Sequence, residues 1–211
     1  MEPAPNGRLK SVIASAARVS APGRVVRSLG WILAPLFLWA SVQDGNALAR
    51  VDTRDHESLV RLLRGVDACL NATVYYMNLE VMGACLEAGT HYTDLGGLFH
   101  TTLRQLQLHE QFRDAGLSAV LGMGSAPGVP NVQARYAADR LDTVDSVRIY
   151  DGIKPPPPDS VVFSYAVATI VDELTQKPMV YREGQMAACE PLTEFEDYWF
   201  TPPIGLLPMH L

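Results

Sequence analysis

From about residue 47 the sequence repeats one unit: a short apolar run, a turn, then a helix whose apolar residues recur at three- and four-residue spacing. Strands that alternate with helices predict a parallel sheet with helices on both faces, so this pattern limits the fold to the α/β class. The first unit is Ala47 to Val51, with Asp55 as N-cap and a helix carrying Leu59, Leu62 and Leu63 that stops at Gly65. The second is Ala68 to Ala72, a loop holding Tyr75 and Tyr76, then Asn78 as cap of a helix with Leu79, Met82 and Leu86 that Gly89 ends. The third is His91 to Leu95, a loop with Gly96 and Gly97, and a helix from about Thr102, where Thr102 and Gln105 have capping-box spacing. The fourth is Leu117 to Leu121, the run Gly122 to Gly128, and a helix to about Leu141.

Ligands of such sheets bind beyond the carboxyl ends of the strands, which singles out four loops. Asp52 and Thr53 end the first strand, where a polar pair can hydrogen-bond an adenine or form an ordinary Asx turn. Asn71, Ala72 and Thr73 leave the second strand, where small and amide residues admit a ribose or nicotinamide to the backbone; an ordinary turn accounts for them equally well. Asp94 ends the third strand as a candidate acid, base or substrate-orienting group, or as a cap of the loop after it. Gly122-Met-Gly-Ser-Ala-Pro-Gly128 opens a helix after a strand, and Asp151 ends the next apolar run. That layout imitates a dinucleotide turn with its acidic ribose residue, but Pro127 and Pro130 crowd the backbone N–H groups such a turn needs. On this motif alone a small-residue turn for close packing is the favoured reading. A third reading makes the loop the lining of a cofactor site built mainly elsewhere.

After Leu141 the pattern changes. Val144 to Tyr150 reads as a strand, Pro155 to Pro158 as a stiff connector, Ser164 to Leu174 as a helix. Met179 to Arg182 and Gln185 to Cys189 read as a hairpin around Glu183-Gly184, and Tyr198 to Thr201 as one more strand. The expected organisation is an atypical segment 1–46, a partial Rossmann domain 47–141 and an incomplete α+β domain 142–211. The five histidines show no metal-ligand spacing, and Cys69 and Cys85 fall on core positions. Three cysteines make no disulfide scaffold, and a net charge of −6 leaves no footprint for nucleic acid.

Charge is uneven. Residues 1–50 hold six Lys/Arg against two Asp/Glu, and the remainder eleven against twenty-one. The apolar stretch Gly30 to Val42 is interrupted by Pro35 and too short to span a bilayer, although an anchor through Trp31–Val42 is one reading of it. Residues 1–46 are expected to pack as helix or irregular chain and to supply no central strand. They read as sequence foreign to the repeat, joined to it near Ala47.

The run from about Arg50 to Gly152 resembles the saccharopine dehydrogenase/reductase family and its carboxynorspermidine dehydrogenase-like relatives. Val66-Asp-Ala-Cys-Leu-Asn-Ala72, Asn78-Leu-Glu-Val-Met-Gly-Ala-Cys-Leu-Glu-Ala-Gly89, His91-Tyr-Thr-Asp94 and Gly122 to Val129 with Asn131 carry the likeness. A fainter likeness continues through Ser164-Tyr165 and the hairpin to about Pro203. The resemblance implies a cytoplasmic NADP- or NAD-dependent oxidoreductase that reduces an imine or oxidises a secondary amine. It also implies a homodimer, a small amino-acid or polyamine substrate, and neither membrane nor nucleic-acid partners. A non-catalytic scaffold that keeps the domain is the alternative. The cofactor side would comprise Asp52, Thr53, Asn71, Ala72, Thr73, Gly124 and Ser125; the substrate side Tyr76, Tyr150, Asp151, Ser164 and Tyr165; and Asp94 the catalytic position. The family's opening strand and Gly-x-Gly-x-x-Gly turn have no counterpart before Gly122, which implies weak or no dinucleotide binding. Ala126 stands where saccharopine-forming members tend to be acidic, which points away from saccharopine itself.

Overall fold

The computed structural model describes residues 11–15, 37–42, 47–152, 159, 163 and 165–210. Ser164 and Pro155–Pro158 lie outside the described residues. The chain divides into two compact units, Met1–Gly128 and Val129–Leu211, so the helix after Gly128 goes with the second unit and the division precedes the change of character at residue 141.

The first unit runs β1 (Ser11–Ser15), β2 (Phe37–Val42), β3 (Ala47–Asp52), α1 (His56–Leu63), β4 (Ala68–Ala72), a 3-10 turn (Tyr75–Met77), α2 (Asn78–Ala88), β5 (His91–Asp94), α3 (Phe99–Leu106), α4 (His109–Asp114) and β6 (Ala119–Val120). Its strands form one sheet in the order β3-β2-β1-β4-β5-β6. β1, β4, β5 and β6 are mutually parallel, while β2 is antiparallel to both of its neighbours. The α/β expectation therefore holds, with a parallel four-strand run and one reversed strand.

Segment 1–46 departs from its expectation. It supplies β1, which lies between β2 and β4 and pairs Ser11 with Ala68 through Ser15 with Ala72. It also supplies β2, so Phe37–Val42 is a strand rather than helix or irregular chain. An apolar run of six residues has strand length, and periodicity alone cannot assign so short a run. Two strands thus separate β3 from β4. No helix among the described residues is long and apolar enough to cross a membrane.

Local chemistry explains the helices. Asp55 caps α1 by accepting the Ser58 N–H at 3.1 Å. Gly89 closes α2 in the left-handed region at φ 75°, a conformation that glycine adopts without a Cβ penalty. Asn78 is the first residue of α2, not its cap, and α3 begins at Phe99, so Thr102 and Gln105 form no capping box. The expected third helix is two, α3 and α4. The core lies where α1 and α2 cover the sheet: Leu59, Val60, Leu63, Cys69, Val81, Met82, Ala84, Cys85, Tyr92 and Phe112 are buried. On β4 and β5 this face carries Cys69, Asn71, Tyr92 and Asp94, all buried, whereas Ala68, Leu70 and Thr93 opposite are half-buried.

The second unit contains α5 (Val129–Ala138), α6 (Val167–Thr175), the hairpin β7 (Met179–Arg182) with β8 (Gln185–Ala188), and the antiparallel pair β9 (Glu196–Phe200) with β10 (Gly205–Met209). Glu183 at φ 51° and Gly184 at φ 78° make the turn that the hairpin requires. Val144 to Tyr150 is irregular rather than a strand, for among the described residues it pairs with no ladder. None of this unit's described residues is buried.

Candidate functional site

β3 is antiparallel to β2 and β2 to β1, so β3 runs with β1, β4, β5 and β6. The carboxyl ends of these strands therefore share one edge, and the loops after Asp52, Ala72, Asp94 and Val120 all leave from it. This is the edge where open α/β sheets bind ligands.

Asn71 and Asp94 are register partners on β4 and β5, and each side chain is 1% exposed. A buried carboxylate must be hydrogen-bonded, and Asp94 accepts four times. Its Oδ1 takes the Gly96 N–H at 2.9 Å and the Gly122 N–H at 2.7 Å. Its Oδ2 takes the Tyr92 hydroxyl at 3.0 Å and the Gln105 amide at 2.7 Å. Its backbone carbonyl takes the Met123 N–H at 2.8 Å. One aspartate thereby joins the loops after β5 and β6 and ties both to α3.

Asn71 extends the network. Its Nδ2 donates to Asn78 Oδ1 at 2.8 Å and to the Tyr92 hydroxyl at 3.1 Å. Its Oδ1 accepts from Thr73 N at 3.1 Å and Thr73 Oγ1 at 2.7 Å, which closes the turn after β4. Asn78 Nδ2 donates to the Gly96 carbonyl at 3.3 Å. Gln105 Nε2 also meets Met82 Sδ at 3.2 Å, while Gln105 Oε1 is a buried side-chain atom with no partner among the described residues. The strand spacing hid three members of this network. Asn78 and Gln105 look like helix-start residues in sequence, and Tyr92 looks like an ordinary strand aromatic. The available signal was Tyr92-x-Asp94, two polar side chains on one strand face that the pattern otherwise buries.

Burial, and then the Asp94 charge, push the Tyr92 phenol well above the ordinary tyrosine range, so it stays a neutral donor. A raised folded value stabilises the fold fully below the unfolded value, about pH 10, and the contribution falls as pH climbs beyond it. Tyr92→Phe is expected to cost about 1–2 kcal/mol near pH 7, since Asp94 and Asn71 each lose a partner. That cost is expected to shrink by about 0.8 kcal/mol near pH 10.5, a difference that urea titrations at the two pH values measure. An equal cost at both would remove the role assigned to the neutral phenol.

The small residues of the Gly122–Gly128 loop are accounted for by close approach. A Cβ on Gly124 would lie 2.2 Å from the Leu95 carbonyl oxygen, and one on Gly96 2.7 Å from the Pro127 ring. Ser125 beside them is exposed and Ala72 half-buried. At the outer end of the edge, Asp52 accepts Arg54 Nε at 3.0 Å and Arg54 Nη2 at 2.8 Å, and these bonds hold its carboxyl below the usual range. Thr53 is buried and bonded within the fold. Tyr76 is 47% exposed and meets Tyr75 edge-on.

The remaining expected substrate residues lie in the second unit. The Tyr150 hydroxyl donates to Glu196 Oε1 at 2.5 Å, and its ring stacks on Tyr198 at 4.0 Å. Asp151 is exposed. Tyr165 donates to Glu173, and its phenol is pushed up to about 12 by burial and by that carboxylate. Among the described residues no cluster of three or more His, Cys, Asp or Glu is arranged to hold a metal ion.

The family model described as "Saccharopine dehydrogenase NADP binding domain" matches residues 44–120. Carboxyaminopropylagmatine dehydrogenase of Synechocystis is 29% identical over 172 residues, which is 77% of this chain and 43% of that protein. Carboxynorspermidine synthase of Vibrio cholerae is 34% identical over 119 residues, 49% of this chain and 29% of that protein. The Vibrio alginolyticus carboxynorspermidine synthase is 32% identical over 114 residues, 48% and 28%. The matches thus span less than half the length of each of these relatives. Over residues 44–120 the chain is similar to the saccharopine dehydrogenase NADP-binding domain family.

Proposed function

We propose that this chain belongs to an oxidoreductase that acts on a C–N bond of a small amine of the polyamine class, with NADP or NAD as hydride carrier. The observation that carries this is the carboxyl edge itself, where Asp94, within the stretch that matches the NADP-binding family, fixes the loops after β5 and β6. The nicotinamide cofactor supplies the hydride, and the protein supplies orientation. Asp94, buried with four donors on its two oxygens, holds the loops in place and donates no proton to substrate. Asn71 and Thr73 shape the turn along which the inner part of the cofactor would lie.

Fit to the dinucleotide is poor at the pyrophosphate. A pyrophosphate turn needs glycines after the central strand so that backbone N–H groups reach the phosphates. After β1 the sequence instead reads Ala16-Ala-Arg-Val-Ser-Ala-Pro22, with the first glycine at Gly23. The same observation favours a second reading, a non-catalytic scaffold that keeps the domain.

Reduction of NADP by the chain with carboxynorspermidine as the amine, followed by nicotinamide absorbance at millimolar cofactor, separates the two. Saturable turnover supports the oxidoreductase. A folded chain with no turnover leaves the scaffold.

A further inference from the structure

We infer that this chain holds a nicotinamide dinucleotide weakly and does not distinguish NADP from NAD. The inference rests on the reading above, concerns the affinity of the same site, and follows from how β2 is laid in the sheet.

In the doubly wound arrangement the residue that reads the ribose 2′ position stands at the carboxyl end of the second strand, beside the pyrophosphate turn. That placement requires the second strand to run with the first. Here β2 runs against β1, pairing Val12 with Val42 and Ser15 with Trp39. Its first residue, Phe37, pairs with Asp52 at the carboxyl edge, and its last, Val42, pairs with Ala47 at the opposite edge. The end of β2 that would carry a ribose reader therefore points away from the ligand edge, and what stands at that edge is the start of the strand. This holds whatever residues occupy the turn after β1.

The next strand does not replace the lost reader. Arg54 follows β3 at the ligand edge, and its guanidinium is engaged by Asp52 through two hydrogen bonds, so a 2′-phosphate there would meet a carboxylate as well as a cation. The inner polar groups do not compensate either. Both oxygens of Asp94, both ends of the Asn71 amide and both ends of the Asn78 amide are bonded within the protein. Gly124 and Gly128, which would let a ligand approach the backbone, are instead filled by the Leu95, Gly124 and Gly122 backbone.

Titration of the whole chain with NADPH and with NADH, followed by nicotinamide fluorescence and repeated by calorimetry, tests this. The expected result is a Kd above about 100 µM for each and a ratio between the two within about threefold. A Kd below that value for either dinucleotide, or a larger preference for NADPH or NADH, overturns the inference. The turnover assay above uses millimolar cofactor, so turnover with a high KM for both dinucleotides upholds both proposals. Tight, selective binding would overturn this one and leave the oxidoreductase reading standing.

Discussion

Replacing Asp94 with alanine is expected to cost on the order of 4 kcal/mol or more, enough to unfold much of a domain whose whole stability is about 5–15 kcal/mol. The estimate follows from what the carboxylate leaves behind. The Gly96 and Gly122 N–H groups, the Tyr92 hydroxyl and the Gln105 amide all lose an acceptor at a site 1% exposed to solvent. Each stranded donor costs about 1–3 kcal/mol, partly recovered if water enters the cavity. Asp94→Asn is expected to cost about half as much. Its amide oxygen still serves the two glycine N–H groups. Its amide nitrogen faces Gln105, which can rotate to present Oε1, the atom now without a partner. Urea unfolding of the two variants checks both values. A loss below about 1 kcal/mol for Asp94→Ala would mean that the loops are held by something other than this carboxylate.

The same residue shows how far sequence reaches. That Asp94 ends a strand beside two glycine-bearing loops is legible, because strand ends, glycine stops and the Ala68 to Ala72 run announce themselves through local chemistry. Which donors converge on Asp94 is not. Gln105 arrives from eleven residues on and Gly122 from twenty-eight, and both are chosen by sheet register and helix direction. The spacing of Thr102 and Gln105 fits a cap in the abstract, but α3 starts three residues earlier and turns Gln105 toward the core. The central strand escapes sequence reading for a different reason. Ser11-Val-Ile-Ala-Ser15 is five residues without a following glycine turn, and its ladders with β2 and β4 identify it. β10 is hidden in a similar way: Gly205-Leu-Leu-Pro-Met209 has a proline and no alternation of polar residues, and pairing with β9 makes it a strand.

Gly128→Ala is the second substitution expected to have a large effect, and it tests what the small residues of the β6 loop are for. Gly128 has φ 130°, a conformation in which a side chain is strained. A Cβ there would lie 2.3 Å from the Gly124 carbonyl oxygen, 2.7 Å from the Gly124 nitrogen and 2.8 Å from the Gly122 carbonyl oxygen. All three are backbone atoms of the loop that Asp94 holds through Gly122 and Met123, so relief requires the loop to move and those bonds to lengthen. The expected cost is about 3 kcal/mol or more, with faster amide exchange at Gly122 and Met123. Gly89→Ala is the control. Gly89 also has positive φ, 75°, but a Cβ there would meet nothing within 4 Å, so only the left-handed conformation is penalised, at about 1 kcal/mol. If the two variants lose the same stability, close packing is not why the loop is small, and the glycines regain a place as a surface on which a ligand lies. If Gly128→Ala loses about 2 kcal/mol more, and exchange quickens at the two amides bonded to Asp94, the glycines serve the approach of one loop to the other, and the space a dinucleotide would need there is already taken by the chain.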